Sequence, residues 1–536
     1  MSLVGWKFSW DIRSTKFHRP SLNGNHTMLR VHHLACAILF VFLSPAQMWG
    51  FSVVAYNVEN LFDLDGVASY EDYSAAKYTP RHLLVKVGNA AKALSKVDGG
   101  RGPDVVILNE IEIDQTPSVS AAKAAEWLDS VKNRTLEEIL SESPLPPKTV
   151  SLPAEFWLLK ALEDAGLARY FVLTPDESPG SHEDGRSRSV KNVILSRFPI
   201  KTVKTHHTLN ARAILEAQLD VNGHPLTVFA NHWKSGAGSP DNERIRMANA
   251  RTVRERLNEI FKQDPLADVI IAGDLNSHYN QTRRYPGFKK SGINDVLGSQ
   301  GNESALESGE ADLYNLWFEL PAEKRGSDVY QDVWGTLIHL IVSRGLYDTR
   351  GLQYQDNSFE VLAIPGLNAD ALGRPLRWSR GSKPSGFSDH FPILARFQVA
   401  DARSQGQWMS LTKPSAPDSG DVKPVREVSR NEIFSGAIHP AKEPPDTDFR
   451  KPEWMGKIFL INAPGKVGKR GAVTVVLNGI TYNTFSPDSE TRDRLRKMAN
   501  SGSSFQFYAQ LNVFKDEWQF FLPKGDWILE KSDAKK

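Results

Sequence analysis

Asp274 and Asn276 follow a short apolar segment, Val269–Ala272, in the sequence VIIAGDLNS. Four consecutive apolar residues predict a strand that is buried on both faces. In an extended continuation, residues i and i+2 point to the same side, so the two polar side chains would project together from the strand end. They could serve there as a base and a hydrogen-bonding group. The alternative is an ordinary turn, in which Gly, Asp and Asn are also favoured.

Polar or ionisable residues also terminate several other predicted strands. They are Asn57 and Glu59 after Ser52–Tyr56, Asn109 and Glu110 at the end of the predicted strand in Pro103–Glu110, Asn231 and His232 after Leu226–Phe229, and Asp389 and His390 before Ile393–Val399. The recurrence makes a set of functional strand ends more plausible than a set of unrelated turns.

The elements that must position these residues alternate between strand and helix patterns. Apolar residues at helical spacing predict helices over Arg81–Val97, Ala121–Glu142 and Asn242–Phe261. Asn222-Gly223 predicts a hairpin turn between Ile214–Val221 and Leu226–Phe229. Helices between some strands and hairpins between others predict an α/β fold of two packed sheets flanked by helices.

In order and spacing, these segments resemble the endonuclease/exonuclease/phosphatase superfamily, which has the deoxyribonuclease-type fold. The resemblance covers roughly Phe51–Val399, and its motifs are Asn57-Val-Glu59, Asn109-Glu110, Asn192 with Ser196-Arg-Phe-Pro199, Asn231-His232-Trp-Lys-Ser235, Gly273-Asp-Leu-Asn276 and Ser388-Asp-His390. Within the superfamily, the chain is similar to secreted bacterial members. The resemblance implies a four-layer α/β sandwich of two mixed sheets.

A divalent metal site is also implied by the resemblance. Glu110 would be the main ligand, with Asn57 and Asp389 close by. Such oxygen ligands suit Mg²⁺, which keeps several of its waters, and Mn²⁺ or Ca²⁺ are the alternatives.

The remaining motif residues match catalytic and substrate-binding positions of the family. Asp274 would orient or deprotonate the attacking water, and Asn276 would hold the phosphate or the nucleophile. His232 and His390 would donate hydrogen bonds to phosphate oxygens, and one of them could protonate the leaving oxygen. The expected substrate contacts are Asn192, Arg212 and Lys234. Taken singly, His232 could equally be a core histidine, and the two cations could be solvated charges.

One position departs from the family pattern. Relatives usually have Leu-Asp-His where this chain has Leu337-Ile338-His339. That Asp accepts a hydrogen bond from the histidine that matches His390, which Ile338 cannot do. The sequence therefore predicts a weakened or lost activity, unless Asp332 or a water replaces the missing carboxylate. If His390 lacks a partner, Ile338→Asp is expected to raise the rate.

The first fifty residues are expected to lie outside the fold. From Met28, a basic start, the apolar run Leu34–Leu43 and a small-residue exit are typical of a secretory signal. The run is too short to span a bilayer, although an uncleaved N-terminal anchor is the alternative. We therefore expect a secreted or periplasmic protein without a stable membrane anchor. The only cysteine, Cys36, lies in this signal, so the mature chain would contain no disulfide.

Composition changes after the predicted catalytic domain, which spans residues 51–400. Residues 401–449 are rich in Pro, Ser, Lys and Asp, as in a linker. Residues 450–536 predict three strands, a helix and two strands, the order of the oligonucleotide- and oligosaccharide-binding (OB) barrel. They contain fifteen Lys and Arg against nine Asp and Glu. This domain could bind nucleic acid through its charges and aromatic rings, or it could be a purely structural module.

These observations predict a metal-dependent phosphoric ester hydrolase, specifically a secreted nuclease that acts on DNA or RNA. A phosphatase or a lipid phosphodiesterase on the same scaffold is the enzymatic alternative, because all share the phosphate-handling residues. The non-enzymatic alternative is a nucleic-acid-binding protein that lost its catalytic activity because Ile338 replaces the Asp. The sequence does not distinguish DNA from RNA or endonuclease from exonuclease, and it does not indicate an oligomeric state.

Overall fold

The computed structural model describes residues 50–116, 119–177, 188–208, 210–400, 408–418, 433–468, 471–514 and 517–529. The predicted secretory signal lies outside the described residues except for Gly50, and parts of the predicted linker also lie outside them. Among the described helices, none combines the length and the apolar character that crossing a membrane requires.

Most strands of the described chain belong to two large sheets. In chain order, the strands before residue 400 are β1 (Gly50–Leu61), β2 (Val105–Glu112), β3 (Phe171–Leu173), β4 (Val190–Ser196), β5 (Ile200–His206), β6 (Ile214–Val221), β7 (His224–His232), β8 (Val269–Asp274), β9 (Leu313–Asn315), β10 (Asp328–Tyr330), β11 (Val333–Gly335), β12 (Ile338–Ser343), β13 (Leu352–Tyr354), β14 (Glu360–Val361) and β15 (Ile393–Val399).

The first sheet has the order β13-β15-β1-β2-β4-β3, with β14 paired to β15, and the second has the order β5-β6-β7-β8-β12-β9. Each sheet is mixed, because β1 runs parallel to β2 and β7 runs parallel to β8 while their other neighbours are antiparallel. Strands β10 and β11 form a separate hairpin.

Helices cover the outer faces of both sheets. The helices before residue 400 are α1 (Pro80–Leu94), α2 (Ala121–Ser130), α3 (Leu136–Leu140), α4 (Pro147–Val150), α5 (Ala154–Asp164), α6 (Pro240–Gln263), α7 (Gln281–Arg284) and α8 (Glu303–Ser308). Of these, α1 and α5 pack on the first sheet and α6 packs on the second. The single helix predicted over Ala121–Glu142 is in fact two helices. Thr135 starts the second one, since its hydroxyl accepts from Glu138 N while the Glu138 carboxylate accepts from Thr135 N.

Successive side chains of the central strands face alternately the outer helices and the opposite sheet. Val54 and Val106 pack outward with α1 and α5, whereas Val53 and Val105 pack inward against the second sheet. On the far side, Phe229 and Ile271 pack with α6. The order helix, sheet, sheet, helix confirms the predicted α/β sandwich of two packed mixed sheets.

The C-terminal strands close into a five-stranded barrel with the order β16-β17-β18-β20-β19, consistent with the predicted OB-like domain. Its elements are β16 (Ile458–Val467), β17 (Val473–Leu477), β18 (Ile480–Phe485), α9 (Ser489–Asn500), β19 (Ser504–Phe514) and β20 (Glu517–Phe521). The core of the barrel also includes Ala371 from the sandwich and Phe449 from the segment before β16. The barrel therefore packs directly on the sandwich.

Candidate active site

Strand register brings the predicted residues to one edge of the sandwich. In the first sheet, Asn57 pairs with Asn109, so Glu110 lies one residue beyond. In the second sheet, His232 pairs with Asp274. The two sheet edges meet, because Asn57 Nδ2 donates to Asp274 Oδ2 over 3.1 Å although 217 residues separate them.

The backbone at these strand ends is strained. Glu59, Glu110 and Asn276 have φ values of 53°, 65° and 48°, a left-handed region that is uncommon outside glycine. Gly273 has φ 113°, and a Cβ there would lie 2.2 Å from Asn231 O. Only glycine lets β7 and β8 approach this closely, and strain of this kind is often found at functional sites.

Asn57 holds two carboxylates together. Its Nδ2 donates to Glu110 Oε1 over 2.9 Å as well as to Asp274, while its Oδ1 accepts from Glu59 N over 2.9 Å. Asn57, predicted to lie near the metal, thus turns its nitrogen toward the two acids and its oxygen toward the backbone. Its role in this arrangement is to position Glu110 and Asp274.

A layer of buried asparagines lies beneath the site and joins the two sheets. Asn109 Nδ2 donates to Asn192 Oδ1 over 2.7 Å and to Asn231 O over 2.9 Å, and Asn109 Oδ1 accepts from Asp274 N over 2.9 Å. Asn192 is fully buried, and its Nδ2 donates to Ala213 O. Asn192 was predicted to contact the substrate. Its side chain has no exposed surface, so it links the two sheets instead.

The other predicted substrate residues lie around Trp233. Asn276 Nδ2 donates to Trp233 O over 3.2 Å, and its N donates to Asp274 Oδ1 over 2.9 Å. The half-buried Arg212 also donates to Trp233 O, and its positive charge acts on Glu110 and Asp274. Lys234 follows Trp233 in the chain, and its N donates to Asn249 Oδ1.

Both predicted histidines converge on Asp274. Oδ2 of Asp274 lies 3.8 Å from His232 Nε2 and 3.9 Å from His390 Nε2. His232 Nε2 is also 4.0 Å from Glu110 Oε1, and His390 Nε2 is 3.7 Å from Asp389 Oδ1. The structure therefore brings together His232, Asp274, Glu110, Asp389 and His390, as the sequence predicted.

The two histidines differ in charge because their neighbours differ. Burial, followed by the positive charges of Arg212 and His390, holds the pKa of His232 well below its usual range. Burial also disfavours the charged form of His390, but Asp389, Asp274, Asp328 and Glu110 outweigh it and raise its pKa to about 9. At neutral pH, His232 is neutral and His390 is an imidazolium. Opposite environments for two titratable groups are typical of an acid–base pair.

The loop that carries Asp389 is fixed by residues that the sequence analysis did not assign. Ser388 Oγ donates to Asn57 O over 2.6 Å, and the buried Lys86 donates to Glu59 O and Phe387 O, each over 3.0 Å. Arg377 contacts Glu59 Oε1 at 3.1 Å and Asp389 Oδ2 at 3.4 Å. Glu59 belongs to the motif Asn57-Val-Glu59, whereas no local sequence pattern predicts a role for Lys86 or Arg377.

Asp328 takes the place of the missing family Asp through its charge alone, because His390 Nδ1 has no hydrogen-bond partner within the described residues. It forms an antiparallel bridge with His390, it is buried, and its charge raises the pKa of His390. A Cβ at Gly335 would lie 2.0 Å from Asp328 Oδ2, so this glycine makes room for the carboxylate. Asp332, the substitute considered from the sequence, is 84% exposed and pairs with Arg374.

Ile338 belongs to the core between the sheets. It is fully buried and pairs with Asp274 across β12 and β8, and its neighbours in the core are apolar. A carboxylate introduced there would lose its water and lie beside the carboxylate of its register partner Asp274. The structure therefore does not support the expectation that Ile338→Asp would speed the reaction.

The donor set fits a hard divalent cation. Glu110 is 19% exposed and Asp389 is 34% exposed, and burial, followed by repulsion from Asp389, raises the pKa of Glu110. A cation would relieve this repulsion and complete its shell with water. Within the described residues, the groups of three acidic residues whose oxygens lie within 4.8 Å of one another are Asp63 with Asp65 and Asp114, and Glu303 with Glu319 and Asp356, and neither includes Glu110.

Comparison with known families agrees with this geometry. A model of the Endonuclease/Exonuclease/phosphatase family matches residues 188–399. This segment is about two fifths of the chain and is similar to that family. It contains His232, Asp274, Asp328 and His390. No match was found among curated proteins.

Several solved structures are similar to this chain at low identity. Truncated TDP2 from Caenorhabditis elegans is 16% identical with a TM-score of 0.34, and the match covers 65% of this chain and 98% of that one. An endonuclease/exonuclease/phosphatase family protein from Bacteroides thetaiotaomicron is 14% identical with a TM-score of 0.37, covering 68% and 99%. TDP2 from D. rerio, complexed with single strand DNA product, is 15% identical with a TM-score of 0.34, covering 65% and 98%. These TM-scores are too low to carry an argument about function.

Proposed function

We propose that this protein is a metal-dependent phosphodiesterase that hydrolyses nucleic acids with an activated water. The observation that carries the proposal is the pair of histidines next to Asp274, of which His232 is neutral and His390 is positively charged. Phosphodiester hydrolysis needs a group that takes a proton from water and another that gives a proton to the leaving oxygen. Asp274 and His390 supply the two groups within 3.9 Å of each other.

Each residue then has a defined task. Asp274 is held by Asn57 and by Asn276 N, so its carboxylate can orient a water and accept its proton as the water oxygen attacks phosphorus. The bond to the leaving oxygen breaks as the His390 imidazolium donates its proton to that oxygen. Neutral His232 and the charged Arg212 can contact the phosphate oxygens. A divalent cation on Glu110 and Asp389 would neutralise the charge that builds on the phosphate.

Polymeric nucleic acid is the substrate class that the C-terminal region favours. Residues 450–536 contain fifteen basic and nine acidic residues, and neutralising backbone phosphates supplies most non-specific affinity for nucleic acids. Part of this basic charge also supports the barrel. Arg492 and Arg496 donate to the backbone oxygens of Ser486 and Gly471.

Cleavage of plasmid DNA with Mg²⁺, compared with the same reaction in EDTA, tests the proposal. Glu110→Gln should abolish cleavage and weaken Mg²⁺ binding measured by calorimetry, while the melting temperature is retained. Glu323→Gln, on the exposed surface, is the matched control and should behave like the wild type. Unchanged Mg²⁺ affinity in Glu110→Gln would contradict the ligand assignment.

A small phosphodiester, a phosphomonoester and a phospholipid in the same assay separate the enzymatic alternatives. Faster turnover of the monoester would indicate a phosphatase, and faster turnover of the lipid would indicate a lipid phosphodiesterase, instead of a nuclease. Failure of every substrate with Mg²⁺ and Mn²⁺ would favour the nucleic-acid-binding protein.

The cellular location of the protein is inferred from its N-terminal sequence. We infer that the enzyme is secreted or periplasmic, because Met28 begins a segment typical of a secretory signal. N-terminal sequencing of the mature protein from the native host should find a start near residue 50. A mature chain that retains Leu34–Leu43 would instead indicate an N-terminal anchor.

A further inference from the structure

The loop before Asp389 carries an arginine that lies beside the active site. Arg377 Nη2 donates to Glu59 Oε1 over 3.1 Å and to Asp389 Oδ2 over 3.4 Å. The backbone N of the next residue, Trp378, donates to the other oxygen of Glu59 over 2.9 Å. Glu59 is buried, and it therefore holds this part of the loop at two points and fixes the position of the guanidinium group.

Only one nitrogen of this guanidinium group is occupied. An arginine side chain has N–H donors on all three of its nitrogens, in one plane, and both contacts of Arg377 come from Nη2. Its Nε and Nη1 have no partner in the described part of the chain. The side chain is 68% exposed, so these donors are accessible to a ligand. Charged donors in a planar arrangement suit the oxygens of a phosphate group.

Asp389 lies between this arginine and the proposed general acid. Its Oδ1 is 3.7 Å from His390 Nε2, whereas its Oδ2 is 3.4 Å from Arg377 Nη2. In the proposed reaction His390 donates its proton to the leaving oxygen. Arg377 therefore lies on the leaving-group side of the scissile phosphate, and a phosphate that it binds belongs to the leaving part of the substrate.

A cleft connects this arginine with the barrel. It has a volume of about 650 Å³, and its lining includes Arg377, Asp389 and Met455. Met455 packs in the core of the barrel. The cleft provides room for a substrate that continues beyond the scissile phosphate, and it leads toward the basic region 450–536, whose charge favours further phosphates.

We infer that Arg377 binds a second phosphate of the substrate, next to the scissile phosphate and on the leaving-group side. The inference rests on the proposed function and narrows it, because a nucleic acid with consecutive phosphates is a polynucleotide or an end-phosphorylated fragment of one. A phosphodiester with a single phosphate offers no group to this arginine.

Dinucleotides with and without a terminal phosphate test the inference on the full chain. All contain the same phosphodiester, and they differ only in an added phosphate at the 5′ or the 3′ end. For the wild type, one of the two phosphorylated forms should have a KM about tenfold lower than the unphosphorylated form, since a charged hydrogen bond contributes about that factor. Arg377→Gln should lose this preference, and Arg377→Lys should retain part of it because it keeps the charge.

Arg134→Gln is the matched control. Arg134 is an exposed arginine that also pairs with a carboxylate, Glu142, at 2.6 Å, but it lies between α2 and α3. Its substitution should leave the preference for the phosphorylated dinucleotide unchanged. Because the substrates are compared within each protein, a change in Mg²⁺ affinity affects all of them alike. An undiminished preference in Arg377→Gln would overturn the inference.

Binding measured in EDTA separates this inference from the proposed function. Fluorescence anisotropy with a single-stranded oligonucleotide gives the slope of the logarithm of the association constant against the logarithm of the salt concentration. This slope should be smaller by about 0.7 in Arg377→Gln than in the wild type, as expected for the loss of one phosphate contact, and unchanged in Arg134→Gln. A smaller slope supports the phosphate site even if no protein turns over a substrate, whereas equal slopes for Arg377→Gln and the wild type would contradict it.

Discussion

Buried carboxylates in two regions of the sandwich behave in opposite ways. At the active-site edge, burial raises the pKa of Glu110, Asp274 and Asp328 above their ordinary values. On the outer face of the second sheet, Glu216 is also buried, but hydrogen bonds from His206 and Arg256 outweigh burial and lower its pKa to about 2.

The difference shows which carboxylates stabilise the fold. A pKa lowered by folding means that the charged group is more stable in the folded protein, and a raised pKa means the reverse. Glu216 therefore contributes to stability, with Arg256 Nε at 2.8 Å from its Oε2. Asp274 and its neighbours are kept at a cost in stability, as is common for active sites.

Asp274→Asn should give the largest effect on the active-site side of this comparison. Removing the proposed base should lower kcat by about 10³-fold or more. The melting temperature should not fall, because the amide removes a desolvated charge while its oxygen can still accept from Asn276 N. Plasmid cleavage and thermal unfolding measure the two quantities. A large loss of stability with activity retained would show that Asp274 is structural.

Ile338→Asp should destabilise the apolar core that lies between the two regions. A carboxylate at this fully buried position should lower the free energy of unfolding by about 3 kcal/mol without a gain in rate. The control Ile338→Val should cost about 1 kcal/mol. Urea unfolding and initial rates distinguish the outcomes, and a faster, equally stable Ile338→Asp enzyme would mean that His390 lacks support from Asp328.

The contribution of Glu216 to the free energy of unfolding should fall as the pH is lowered, before the pH reaches the folded pKa of this group. The folded pKa of about 2 lies below the ordinary value of 4.5, so the folded protein binds fewer protons than the unfolded chain between these values. The contribution of Glu216, about 3 kcal/mol, is complete above pH 4.5 and is lost as the pH falls toward 2. Unfolding at several pH values should show a shallower decline in Glu216→Gln, together with unchanged activity at pH 7. Parallel declines in both proteins would contradict this assignment.

Asp328→Asn should have the smallest effect, because Asp328 acts through His390. Loss of its charge should lower kcat for a small phosphodiester about tenfold, with KM unchanged, since one of several carboxylates that stabilise the imidazolium is removed. Asp332→Asn, on the same hairpin but 84% exposed, is the control and should keep the wild-type kcat. Equal kcat values for the two variants would remove Asp328 from the site.

The two-sheet sandwich, the strand order of the barrel and the polar strand ends could be predicted from the sequence. These features depend on local rules, because alternation assigns strand faces and polar residues mark where the strands end. His232 and His390 lie within 3.9 Å of Asp274, at strand ends whose motifs carry the family resemblance.

The charges of those residues, and the side chains that hold them in place, depend on the three-dimensional packing. The pKa values of His232 and His390 depend on burial and on charges from distant parts of the chain. Asn192 became a buried link between sheets, and Asp328 reached His390 through a hairpin for which no local signal was found. Desolvation and Coulomb interactions act through space, so a local sequence pattern does not specify them.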